Sequence, residues 1–193
     1  TAFKNKGIQR LLDGVVRCLP APNEIPPIIC AAEGDTVRRD PKDEEPLSAL
    51  AFKIVADRHM GKLTYVRIYS GSMRAGTTLQ NSTNDKSQRV GRIFRMHANR
   101  QEALASACTG DIVAVVGLSD TKTGDTLCEP DAPIHLEAIE FPSPVISISI
   151  APENRVESEK LSEALHRLAD EDPTFTVGYD QETSETIISG MGE

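Results

Sequence analysis

The segment LTYVRIY, residues 63–69, decides the fold, because it is rich in β-branched and aromatic residues and runs into the turn sequence SGS at residues 70–72. Runs of this kind, bounded by turn residues, are typical of β-strands. Residues 49–56 form a similar run, and residues 57–61 provide the reversal between the two. Three more runs follow, at residues 77–80, 89–96 and 111–116, and residues 101–107 are expected to hold one helical turn. This spacing predicts a small antiparallel β-barrel rather than a parallel sheet.

An amphipathic helix is predicted upstream of these strands, over residues 8–19. Its apolar residues recur at i, i+3, i+4, i+7, i+8 and i+11 from Ile8, which places them in one stripe of a helix. Pro20 ends the helix. The proline-rich, charged residues 21–46 predict a connector or an extended segment that lies along the edge of a sheet. Because a single helix cannot bury its own apolar stripe, we expect this helix to belong to a larger domain.

An α+β unit is predicted after the barrel, beyond the hinge sequence FPSP. It comprises a strand at residues 145–150, a helix at 156–171 and a hairpin of strands at 175–179 and 186–189. This order is the first part of a split βαβ, or ferredoxin-like, unit, which normally closes with a further helix and strand. We therefore expect an incomplete unit whose apolar face is partly exposed. The residues assigned to that face are Ile146, Ile148, Ile150, Ile187 and Ile188.

Composition excludes several classes of protein. The chain has 193 residues, a formal net charge of −8 and 39% hydrophobic residues, which is typical of globular proteins. No apolar run approaches the ~18 residues needed to cross a bilayer, and no signal segment opens the chain. The four cysteines, at residues 18, 30, 108 and 128, match neither a disulfide framework nor a CxxC metal site. These features predict a cytoplasmic protein with reduced cysteines and no membrane partner.

The charge is unevenly distributed along the chain. Residues 51–101 contain ten Lys or Arg and two Asp, a net charge of +8, so the remainder carries −16. A basic segment in an acidic protein favours nucleic-acid binding, because neutralising phosphates releases counterions. The same pattern also arises when basic side chains keep one face of a sheet in water, and the charge alone leaves both interpretations open.

No catalytic constellation appears in the sequence. It contains neither the phosphate loop GxxxxGK[ST] nor the dinucleotide turn GxGxxG. The histidines, at residues 59, 97, 135 and 166, lack the spacing of a metal site. The acidic clusters at residues 43–45 and 170–172 are interpreted as solvated faces. We therefore expect no enzyme active site, metal or cofactor within this chain.

Several segments resemble bacterial-type elongation factor G. Those similar to its second domain are AFKI (51–54), GKLT (61–64), RIYSG (67–71), RVGR (89–92), MHAN (96–99), GDIVAVVGL (110–118) and TGDTLC (123–128). Those similar to its third domain are FPSPVI (141–146), EDPTF (171–175) and IISGMGE (187–193). The opening TAFKNKG (1–7) looks like the last guanine-nucleotide motif of the family's GTPase domain.

The resemblance implies part of a translational GTPase that drives tRNAs and mRNA through the ribosome with GTP or GDP and Mg²⁺. It implies that the barrel binds small-subunit rRNA, that the third domain couples the GTPase domain to the distal domains, and that DNA is not a partner. The implied divisions are the end of the GTPase domain and a linker (1–46), barrel domain II (47–131), a linker (132–140) and an incomplete domain III (141–193).

The resemblance also implies which residues bind. Candidates for rRNA contact are Lys62, Arg67, Lys86, Arg89, Arg92 and Arg95. Thr1 and Ala2 would contribute weakly to guanine recognition, and Pro142 and Pro144 would lie at a hinge beside an inhibitor-binding cleft. Thr1, Ser184 and the pair at residues 59–60 depart from the family's usual pattern. A ribosomal-protection GTPase therefore stays an alternative, as does a stand-alone RNA-binding barrel that acts as an adaptor.

Overall fold

The computed structural model describes residues 2–32, 35–57, 59–97, 100–151, 155–180 and 185–192. The upstream elements are helix α1 (Ile8–Cys18) and strands β1 (Ile28–Ala32) and β2 (Asp35–Arg39). The central elements are β3 (Ser48–Asp57), β4 (Gly61–Ser70), β5 (Ser72–Arg74), β6 (Thr78–Asn81), β7 (Lys86–Arg89), β8 (Arg92–His97), β9 (Arg100–Leu104), β10 (Ser106–Cys108), β11 (Ile112–Val116) and β12 (Thr126–Cys128). The last elements are β13 (Ile146–Ile150), α2 (Arg155–Glu171), β14 (Thr176–Asp180) and β15 (Glu185–Gly190).

Strands β3 to β12 form a sheet-rich, barrel-like lobe, which confirms the predicted fold class. Eight of them make one antiparallel sheet in the order β7-β6-β12-β3-β4-β11-β8-β9, and β5 pairs with β10. Alternation along β4 turns Val66 and Ile68 into the core and places Tyr65 and Arg67, both half-buried, on the other face of the strand. The inward side chains join one hydrophobic cluster with those of the neighbouring strands. The members of that cluster are Leu47, Ala49, Val66, Ile68, Met73, Leu79, Val90, Ile93, Ala107, Val113, Val115, Leu118 and Leu127.

Two expectations from the sequence are wrong in this part of the chain. Residues 89–96 are not one strand, because the chain turns a corner between β7 and β8 at Val90 and Gly91. Residues 101–107 belong to β9 and β10 rather than to a helical turn, since pairing with β8 and β5 holds them extended. The connector contains the hairpin β1–β2, in which Cys30 packs against residues that follow β12.

The third lobe has the β-α-β-β order expected from the sequence. Its sheet order is β13-β15-β14, and α2 packs against β14. Ile148 lies opposite Ile188, whereas Ile187 lies opposite Ser149 and therefore faces the other side of the sheet. Ile146 and Ile148 are 40% and 52% exposed, since the main contact of α2 with this sheet is with β14. The strand assignment is confirmed, whereas the placing of Ile187 and Ile188 on one face is wrong.

Helix α1 is amphipathic, as its periodicity predicts, and its apolar stripe lies in solvent. No residue of the helix is buried. The large exposed side chains of this stripe are Leu11, Leu12, Val15, Val16 and Leu19, which are between 44% and 81% exposed. The expectation that the helix cannot bury its own stripe is thus confirmed for the described residues.

Candidate functional site

Two exposed arginines flank the corner between β7 and β8. Arg89 ends β7 and Arg92 begins β8, and both side chains are exposed. Between them Val90 is fully buried, and a Cβ on Gly91 would come within 2.5 Å of the carbonyl oxygen of Val116. The backbone N–H of Gly91 donates to that same oxygen at 2.8 Å. The corner is therefore tightly packed, and it fixes the point from which both guanidinium groups project.

Arg92 and Arg67 each lie over an aromatic ring. The Arg92 Cζ is 5.5 Å from the ring centroid of Phe94, and the Arg67 Cζ is 5.1 Å from that of Tyr69. Such cation–π contacts restrain a guanidinium while leaving its N–H groups able to bind phosphate. Arg67, however, lines a small cleft of about 50 Å³ between the linker and the barrel. It therefore faces a different neighbourhood from the corner that carries Arg89 and Arg92.

Lys62 is engaged by the third lobe. Its Nζ lies 3.0 Å from Oδ2 of Asp170 and donates to the carbonyl oxygen of Ser119 at 3.1 Å. The Lys62 side chain is 23% exposed and that of Asp170 is 44% exposed. Asp170 was assigned to a solvated acidic face from the sequence, and that assignment is wrong because the carboxylate pairs with the barrel. The neighbouring Glu171 also contacts the barrel, accepting from the backbone N–H of Ala56 at 2.5 Å.

Lys86 and Arg95 are paired within the barrel lobe itself. The Nζ of Lys86 lies 2.6 Å from Oδ1 of Asp120. The hydrogen bond from Lys86 is the main reason why the pKa of Asp120 lies below its usual value. Arg95 lies between two carboxylates, 3.9 Å from Glu102 and 3.7 Å from Asp111. A phosphate that approaches Lys86 or Arg95 must therefore compete with carboxylates that are already in place.

A turn capped by Asp57 holds the end of the β3–β4 hairpin beside Lys62. The Oδ1 of Asp57 accepts from the backbone N–H groups of His59 and Met60 at 2.8 and 2.9 Å. These two bonds, that of His59 first, lower the pKa of Asp57. The carboxylate thus stays ionised and keeps the reversal closed, so that Gly61, with a φ of +74°, can start β4.

The other predicted site residues lie far from the basic corner in sequence. Thr1 and Ser184 are outside the described residues. Ala2 begins a short 3₁₀ turn, and its carbonyl accepts from the backbone N–H of Asn5 at 2.9 Å. Pro142 is exposed and Pro144 half-buried, in a segment without helix or strand between the two lobes.

Two of the four cysteines are buried together. Cys30 and Cys128 are buried in one cluster with Ile134, and burial raises the pKa of both thiols. No three His, Cys, Asp or Glu side chains in the part that the structure describes are grouped so as to hold a metal ion. Among the described helices, none is long and apolar enough to span a membrane.

Comparison with known proteins identifies both lobes. The family model described as "Elongation factor G domain 2" matches residues 46–130, and that described as "Elongation Factor G, domain III" matches residues 141–193. A crystal structure of a protein from Thermus thermophilus is similar, with a TM-score of 0.72 and 25% sequence identity. This similarity covers 97% of the present chain but 26% of the Thermus chain, so the present chain spans about a quarter of that relative's length.

Proposed function

Because the chain belongs to the elongation factor G family, whose second and third domains it carries, we propose that it is part of a translational GTPase that moves tRNAs and mRNA through the ribosome. In this proposal the barrel lobe binds small-subunit rRNA in the cytoplasm. The third lobe couples the GTPase domain of the whole protein, which binds GTP or GDP with Mg²⁺, to its distal domains. Thr1 and Ala2 would lie at the guanine-recognition end of that GTPase domain, and Pro142 and Pro144 at the hinge.

The single observation that carries the proposal is the pair of exposed arginines at the β7–β8 corner. Arg89 has no ion pair among the described residues, and the contact of Arg92 with Phe94 leaves its guanidinium on the surface. Bringing these groups to a phosphate requires neither the loss of a carboxylate partner nor a large change of backbone. The free energy gained on binding phosphate is therefore nearly that of the whole charge-assisted interaction. Lys86 or Arg95 would first have to give up a carboxylate partner.

The charge distribution supports a polyanion as the ligand of this surface. The chain as a whole carries −8, so RNA is repelled by most of it, whereas residues 51–101 carry +8. An RNA backbone is therefore guided to the barrel lobe rather than to the connector or the third lobe. Within the barrel, the corner arginines are among the exposed cations that have no carboxylate partner in the described part of the chain.

The proposal is tested by measuring how binding to the small ribosomal subunit depends on salt. If Arg89 and Arg92 each neutralise one duplex phosphate, log affinity falls with log salt at a slope of about −1.8. We expect Arg89→Gln and Arg92→Gln each to make that slope less negative by about 0.9. Arg10→Gln and Arg17→Gln on α1 are matched controls, because they remove exposed positive charges outside the basic segment.

Two results would contradict the assignment. An affinity that does not change between low and physiological salt would exclude phosphate contacts by the chain. Equal changes of the salt slope in the corner variants and the α1 variants would show that binding depends on net charge and not on the position of the corner arginines.

A further inference from the structure

Polar groups join the barrel lobe to the third lobe at the turn end of the β3–β4 hairpin, where Ala56 pairs with Lys62. The ammonium of Lys62, near the start of β4, meets the Asp170 carboxylate near the end of α2 at 3.0 Å. On the other strand of the hairpin, the backbone N–H of Ala56 donates to Oε1 of Glu171 at 2.5 Å. We propose that these two contacts form a detachable clasp, which sets the orientation of the third lobe on the barrel.

The clasp is preorganised on the barrel side. The Lys62 ammonium also donates to the carbonyl oxygen of Ser119, at 3.1 Å, so this bond holds the charge at the edge of the lobe. Asp170 and Glu171 are adjacent at the end of α2, and they reach the two strands of a single hairpin. Two neighbouring carboxylates that engage two neighbouring strands restrain rotation as well as separation of the lobes.

The seam between the lobes is lined by polar and charged groups beside the contact of α2 with β3. Within the described part of the third lobe, Leu165 is the one side chain in the buried hydrophobic core, whereas Leu168 on the same helix is 50% exposed. The seam itself contains an open polar groove of about 420 Å³. Its charged lining comprises Lys62, Lys86, Lys122, Asp120, Asp125 and Asp170. An interface of this kind is typical of domains that move relative to one another.

The clasp responds to ionic strength because its charges are partly in water. Lys62 is 23% exposed and Asp170 is 44% exposed, so added salt screens their attraction. Beyond Ile134, which is buried against the barrel, the covalent link between the lobes runs through residues 137–144, which contain Pro142 and Pro144 but no helix or strand. When the clasp opens, this linker keeps the lobes connected without fixing the angle between them.

Nuclear magnetic resonance of the full chain measures the orientation directly through residual dipolar couplings. In the wild-type chain at low salt we expect the amides of both lobes to fit one alignment tensor. In Lys62→Met and Asp170→Asn we expect two tensors of different magnitude, as the lobes reorient independently. We also expect exchange of the Ala56 amide proton to become about tenfold faster in Glu171→Ala, because a bond to a charged acceptor is lost.

Conservative and matched variants separate the clasp from a general effect of charge. Glu171→Gln should keep Ala56 protected, since an amide oxygen still accepts the bond. Lys86→Met removes a similar Lys–Asp pair that lies wholly within the barrel, and it should leave a single tensor. Raising the salt concentration from about 0.05 to about 0.5 M should make the two lobes of the wild-type chain align independently, as they do in Lys62→Met.

Three outcomes would overturn the proposal. The first is a single, unchanged tensor in both Lys62→Met and Asp170→Asn. The second is a loss of common alignment in Lys86→Met as large as that in Lys62→Met. The third is a wild-type chain with two tensors at low salt, which would mean that the clasp does not hold the lobes together.

Discussion

Alanine substitution of two isoleucines, one in each lobe, tests whether the lobes differ in stability as their burial indicates. Ile68 on β4 is fully buried in the hydrophobic cluster of the barrel. Ile148 on β13 is 52% exposed, although it occupies the apolar face of its sheet. The chemical change is the same at both positions, so any difference in effect comes from the surroundings.

The expected magnitudes follow from the buried fraction of each side chain. Isoleucine to alanine removes three carbon groups, worth about 2.4 kcal/mol when fully buried. The cavity left at Ile68 raises the loss of unfolding free energy to about 3–4 kcal/mol. At Ile148 roughly half of the side chain is already in water and no closed cavity forms, so the loss is about 1 kcal/mol.

Native-state hydrogen exchange at increasing urea measures each lobe separately, which is necessary because the lobes need not unfold together. The amide protons of Val66 and Ile188 report the barrel and the third lobe. In the wild-type chain we expect residues 145–150 to exchange at lower urea than residues 63–69. Equal protection of these two strands in a proven monomer, or a loss of about 3 kcal/mol or more for Ile148→Ala, would refute the reasoning from burial.

Three further predictions concern the corner, the thiols and the nucleotide. Gly91→Ala should destabilise the barrel by about 2 kcal/mol, because the new Cβ meets the Val116 carbonyl, whereas Gly14→Ala on α1 should be neutral or stabilising; urea denaturation checks both. Iodoacetamide should modify exposed Cys18 quickly and buried Cys128 only after unfolding, since burial raises the pKa of the Cys128 thiol; mass spectrometry of the peptides distinguishes the two. The chain alone should neither hydrolyse nor appreciably bind GTP, because both need a loop that holds the phosphates and ligands for Mg²⁺. Micromolar GTP affinity in calorimetry would contradict this.

The strands with strong local patterns were predictable from the sequence. In β4, β-branched and aromatic residues coincide with alternating burial, and in β11 the apolar run IVAVV is buried at three successive positions, so local preference and tertiary packing agree. The hairpin β1–β2 escaped prediction because its sequence is flanked by prolines and charges. Its strand character depends on distant contacts, since Cys30 is buried against Cys128 and Ile134. A local pattern cannot report a partner that is so far away along the chain.

The same limit applies to the basic residues. The sequence pattern places these residues on strands, but it does not reveal which carboxylates they pair with. Lys62 and Asp170, for example, are 108 residues apart in the chain. The corner at Val90 and Gly91 was likewise not recognised as a break, since a single glycine among basic and apolar residues also occurs within strands. Only the close approach of Val116 shows why glycine occupies position 91. The rRNA contacts, the hinge prolines and the domain limits assigned from the sequence stay predictions.

Lys62 connects the two proposals, because one ammonium cannot serve Asp170 and an RNA phosphate together. While Lys62 holds Asp170 at 3.0 Å, the proposed phosphate binding falls to cations that have no carboxylate to release within the described part of the chain, among them Arg89 and Arg92. Salt therefore weakens the clasp and the RNA contact in parallel, since both are attractions between partly solvated charges. Substitution separates them: Lys62→Met should free the third lobe and leave the salt slope of RNA binding unchanged, whereas Arg89→Gln should do the reverse. If Lys62→Met changed the slope by as much as Arg89→Gln, Lys62 would belong to the RNA surface, and the clasp would open whenever RNA binds.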